Sequence, residues 1–187
     1  MNKLKLVSTL LALALVASCG GGGSGDDGPA ATSTTTAPGT STPDAPVGSS
    51  AQLSSFAGTW VGCFTGGTTS EKETLVFTQL SADTFSVASS ADHYAAAGCA
   101  GAVTRTSSES GTVSFTGTKT IGAETVNKFI FTEAMAGSTP TKQVALVKGS
   151  NPVTLTFGKS AEDGGVVDSE GYPTTLESNS SGSFTKQ

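Results

Sequence analysis

The chain has 187 residues, a formal net charge of −5, only 13% charged residues and 24 glycines. That length admits one ordinary domain. The acidic balance, with a pI near 4.7, argues against a nucleic-acid partner, which needs clustered cations to displace counterions. A single histidine, His93, excludes multi-histidine metal sites.

Residues 1–18 divide into three parts. Lys3 and Lys5 make a basic start, and Leu6 to Ala17 is apolar apart from Ser8 and Thr9. Val16-Ala17-Ser18-Cys19 follows. The apolar run is shorter than the ~20 residues a membrane-spanning helix needs. It therefore predicts an export signal over 1–18. Its end, an aliphatic residue, two small residues and cysteine, resembles the lipobox of bacterial lipoproteins. That resemblance implies diacylglyceryl transfer to the Cys19 thiol, cleavage before Cys19 and acylation, as by palmitate, of the new amino terminus. The alternative is an ordinary signal peptide cut nearby, with Cys19 left as a thiol. Several acyl chains anchor stably where one is marginal. In Gram-negative lipoproteins an Asp after the cysteine marks inner-membrane retention. Gly20 in that place implies an outer-membrane destination, facing the periplasm or the cell surface.

Residues 19–52 read as a tether. Over 20–50 the chain is mostly Gly, Pro, Ser and Thr, with Val47 the only large apolar residue. Such a segment buries too little surface to offset chain entropy. As a flexible coil it spans roughly 30 Å.

Residues 53–187 read as one β-domain. Short apolar runs alternate with period two, and long 3.6-period stripes are missing. Val153, Leu155 and Phe157 share one face, with Thr154 and Thr156 opposite. Thr112–Thr116, 73–80 and 83–89 repeat the pattern. The runs at 125–132 and 142–148 are apolar on both faces in places, which predicts strands covered on both sides. Turn clusters at 81–83, 117–119 and 148–152 separate the runs. About eight strands result, including one near Phe184. Even spacing favours a single antiparallel up-and-down barrel, with a β-sandwich as second choice. Closure also removes aggregation-prone edges.

The domain opens with Phe56-Ala57-Gly58-Thr59-Trp60-Val61-Gly62-Cys63-Phe64. Gly58-Thr59-Trp60 resembles the G-x-W that begins the first strand of lipocalins, where the tryptophan closes the bottom of the cavity. Cys63 follows, then a strand pair, then Tyr94 five residues before Cys99. This order resembles the lipocalin-like domains of the adenomatosis-polyposis-coli-down-regulated Wnt inhibitors, which carry a cavity for lipid. The likeness covers about residues 58–99. It does not extend to the second half, including Gly171-Tyr172-Pro173, and the family's arginine-rich strand after the first cysteine is missing. Trp60 is otherwise the core anchor of any small β-domain. With Cys19 lipidated, Cys63 and Cys99 remain as an even pair in an oxidising compartment, so a disulfide is predicted. By the loop-entropy estimate it is worth roughly 3–4 kcal/mol.

Catalytic signals are weak. No Gly-x-Ser-x-Gly elbow occurs. His93 reads as a loop histidine that becomes a general base only if a serine and a carboxylate converge on it. Glu162, Asp163, Asp168 and Glu170 surround two glycines in a calcium-like mixture, but the spacing matches no calcium loop. A solvated acidic hairpin loop is the plainer reading. No enzyme, cofactor or metal is expected, and a monomer is.

Two functions follow. One is a membrane-anchored, non-catalytic lipocalin-like barrel that binds a small apolar ligand or lipid. The other is a surface module for protein interaction. Cys19-Gly20-Gly21-Gly22-Gly23-Ser24 resembles the start of the neisserial transferrin-binding and factor-H-binding lipoproteins, which implies host-protein binding by loops. With one tryptophan and two tyrosines, such loops are poorly equipped for it.

Overall fold

The computed structural model describes residues 53–178 and 183–187. The expected signal sequence, Cys19, Gly20 and the tether lie outside these residues. Eight strands follow in chain order: β1 (Gly58–Gly66), β2 (Thr69–Gln79), β3 (Thr84–Tyr94), β4 (Val103–Ile121), β5 (Glu124–Glu133), β6 (Thr141–Lys148), β7 (Thr154–Phe157) and β8 (Ser183–Lys186). Each pairs antiparallel with the next, and β8 returns to pair with β1. The sheet is one closed up-and-down barrel, not a sandwich.

Period-two alternation builds the wall. On β2, Leu75 and Phe77 point inward and are buried, while Thr74 and Thr78 point outward. Phe85 and Val87 of β3, Val113 and Phe115 of β4, and Phe129 and Phe131 of β5 continue the inner face. The outer face of β3 and β4 is mainly Ser and Thr. A membrane-spanning barrel turns apolar residues outward instead.

The end at Gly58 is plugged. A single turn at Leu53–Phe56 precedes β1, closed by the Phe56 amide donating to the Leu53 carbonyl at 3.0 Å. It drives Phe56 between Phe77 and Phe115, with ring centroids 6.5 and 4.9 Å away. Trp60 is fully buried beside it and donates its indole N–H to the Phe56 carbonyl at 2.8 Å.

Outside the barrel, residues 158–178 form a strap between β7 and β8. Tyr172 and Leu176 cover Val126 of β5 and Val144 of β6. The predicted double coverage of those strands has this cause. The Tyr172 hydroxyl shares a hydrogen bond with Thr116 at 2.8 Å. Asp168 pairs with Lys119, and Glu170 pairs with Lys128 at 2.9 Å. The acidic run is largely exposed and turns back on itself as a small hairpin, with Val167 bridged antiparallel to Pro173, and its Asp168 and Glu170 tie it to the barrel wall. The Lys119 ammonium and the backbone amides of Glu170 and Tyr172 hold the Asp168 carboxyl down at about 2.

Two local expectations are corrected. His93 lies within β3, which continues to Tyr94. Small polar residues hid that continuation, because Ser and Ala alternate there without an apolar marker. For the same reason β4 begins at Val103, well before the apolar run at 112–116.

Candidate binding site at the carboxylate end

Strand parity assigns the site. Glu71 and Glu73 share the inner face of β2 with Leu75 and Phe77. His93, Ala91 and Ser89 share that of β3 with Val87. Arg105, Ser107 and Glu109 share that of β4 with Val113. The register sets Glu71 opposite His93 and His93 opposite Arg105, with Ser89 opposite Glu109. Glu133 of β5 lies opposite Gly111. The barrel interior thus changes character along its axis, from aromatic near Gly58 to carboxylate-rich at the far end.

The outer layer is reached by solvent. The Glu71 carboxylate lies 3.3 Å from His93 Nδ1, and both side chains are 30% exposed. One layer deeper, Glu73 is only 2% exposed. The Ser89 hydroxyl donates to its Oε1 at 3.2 Å. Its Oε2 is buried and has no hydrogen-bond partner among the described residues. Glu109 Oε2 and His93 Nε2 are buried in the same condition. Burial pushes the Glu73 carboxyl up to about 8; the Ser89 hydrogen bond opposes this, and the charges of Glu71 and Glu109 add to it. Burial, and then Glu133, push the Glu109 carboxyl up as well. Desolvation disfavours the ionised form because a buried carboxylate loses its hydration.

Two glycines make the floor beneath these carboxylates. A Cβ on Gly62 would lie 2.6 Å from the Phe64 ring, and one on Gly111 would lie 2.6 Å from the Phe131 ring. Both rings lie over a missing side chain, as larger residues would forbid. Phe64 then meets Phe184 at 5.2 Å, and Phe184 meets Phe157 at 5.8 Å. Phe129 and Phe115 carry the ring contacts on to Phe56.

Of the residues singled out in the sequence, Gly58 and Trp60 sit at the opposite, plugged end. Gly58 has φ 115° and faces the Lys186 stem. The Lys186 ammonium lies 5.2 Å from the centre of the Trp60 ring. Cys63 and Cys99 are joined by a disulfide with Cα atoms 6.0 Å apart. It holds the segment after β3 against the outer side of β1, over Ser70, whose hydroxyl donates to the Ala96 carbonyl and accepts from the Cys99 amide. His93 meets a carboxylate, but its Nε2 has no hydroxyl partner among the described residues. Among those residues no three His, Cys, Asp or Glu side chains gather as a metal site would require. Glu71, Glu73, Glu109 and Glu133 went unnoticed in the sequence. The usable signal was parity, since Glu71 and Glu73 keep step with Leu75 and Phe77.

Comparison with known proteins finds no matching protein family, no matching curated protein and no matching solved structure.

Proposed function

We propose that the chain is a membrane-anchored lipoprotein whose barrel binds a small ligand, with an apolar part, and performs no catalysis. The reading is supported above all by the asymmetry of the barrel. Phe56 and Trp60 fill one end, while solvent reaches inward-facing side chains at the other. An eight-stranded barrel is wide enough for its own side chains or for one small ligand. The Phe64 and Phe131 rings offer such a ligand an apolar floor. The anchor rests on the lipobox-like Val16–Cys19, and the long tether suits a barrel held clear of a bilayer. The protein-interaction alternative is less well supported. Trp60, Tyr94 and Tyr172 are all buried, so none of the chain's Trp or Tyr residues is presented for docking.

Native mass spectrometry of the protein purified from its own host tests both parts. The expected masses are those of a chain acylated at Cys19 and beginning there, and of one small molecule held by the folded barrel. A chain that retains residues 1–18, or a barrel that carries nothing under gentle ionisation, contradicts the corresponding part.

A further inference from the structure

We propose that the inward carboxylates around Glu73 receive the ammonium group of a small aliphatic amine, whose alkyl chain lies on Phe64 and Phe131. This rests on the ligand-binding reading above and names the ligand's chemistry. Glu73 is 2% exposed, and its Oε2 lacks a hydrogen-bond donor among the described residues. A carboxylate taken from water is costly unless it is paired and hydrogen-bonded. Its inward neighbours Glu71 and Glu109 carry the same sign, and Glu133 stands beyond Glu109. The basic side chains facing the same space are His93, already against Glu71, and Arg105, which is exposed at the rim. β1 contributes only Gly62 and Phe64 to this level, opposite Glu73 and Glu71.

A group that stabilises the ionised form of Glu73 must therefore be positive and must donate. A metal ion fits poorly, because the carboxylates are spread along the wall and do not converge. A quaternary ammonium has the charge but no N–H for Oε2. A primary ammonium has both, with three donors. Aromatic faces attract such cations, and Phe64 lies over Gly62, the residue directly across from Glu73. Entry is past Glu71, in the solvent-reached layer.

Titration calorimetry of the full chain with hexylamine, hexanol and hexanoate tests this. Hexylamine is expected to bind saturably, and at least tenfold more tightly than hexanol or hexanoate. Glu73→Gln is expected to weaken hexylamine at least tenfold, and the rim variant Glu71→Gln about threefold, with hexanol unchanged. Because Glu73 loses its proton near 8, hexylamine is expected to bind several-fold more tightly at pH 9 than at pH 6, still as the cation. Equal binding of hexylamine and hexanol, or hexylamine binding untouched in both variants, overturns the amine and leaves a ligand-binding barrel. Failure of all three probes also overturns the amine; the host-purified protein then decides separately whether the barrel holds a ligand.

Discussion

The two ends of the barrel interior use one wall for opposite purposes. Near Gly58 every inward position is committed. Phe56, Trp60, Leu75, Phe85 and Phe115 are each 5% exposed or less, and their rings interlock. At the other end the same strands turn Glu71, Glu73, His93 and Glu109 inward, with buried polar atoms that lack partners among the described residues. Only the residue choice changes along each strand. Stability is thus concentrated at the plugged end. The carboxylate end carries a cost that folding alone does not require, and such costs cluster where proteins bind or react.

Three measurements break or sharpen this contrast. The largest effect is expected at the plugged end. Trp60→Ala removes a fully buried ring and the hydrogen bond that holds the Phe56 turn. It is expected to destabilise by about 3–5 kcal/mol in urea unfolding. A loss below about 1 kcal/mol would show that the plug does not carry the fold.

The second effect depends on pH. The Glu73 carboxyl keeps its proton up to about 8 in the folded protein, against a reference value of 4.5. Between those values the folded state binds more protons than the unfolded state. Stability is therefore present below that window and is lost as pH rises through it, by on the order of a few kcal/mol. Glu73→Gln is expected to flatten the slope between pH 5 and pH 8, measured by unfolding at a series of pH values. An unchanged slope would mean that Glu73 is hydrated.

The smallest effect is at Ser89. Ser89→Ala removes the hydrogen bond to Glu73 Oε1 and is expected to cost about 1 kcal/mol at alkaline pH. Because that bond favours the ionised form, its loss is expected to push the Glu73 carboxyl further up, as read by carbon NMR of its side chain. A downward movement would reverse the electrostatic account of this end.

The difference between the ends also explains what could be read from sequence. At the plugged end the inner face is Val, Leu and Phe against outer Thr and Ser, so Leu75, Phe77, Phe85 and Val113 declare their strands. The disulfide was legible from cysteine parity and the expected oxidising compartment, and the eight-stranded count from turn spacing. At the carboxylate end both faces are polar. Ser89-Ser90-Ala91-Asp92-His93 and Thr104-Arg105-Thr106-Ser107-Ser108-Glu109 have no hydrophobic alternation, so the sequence pattern ends β3 too early and starts β4 too late. The candidate site was hidden by its own polarity. Its strands continue where the polarity contrast across the wall disappears. Phe56 was hidden differently, because a single turn before β1 has no periodic signature. Its inward packing depends on the barrel it plugs.

The seam between β1 and β8 has a kinetic consequence. It has two registered pairs, Trp60 with Lys186 and Val61 with Thr185, and is reinforced where the Gln187 amide donates to the Thr59 carbonyl at 3.0 Å. Every other junction joins neighbours in sequence, whereas this one joins the first strand to the eighth. Long-range closure of this kind is slow, since the entropy of bringing distant segments together is lost before any contact repays it. Until it happens the sheet is an unrolled ribbon with two unprotected margins and a bare aromatic face. The nascent protein's most vulnerable interval is therefore set by the rarest encounter in its topology.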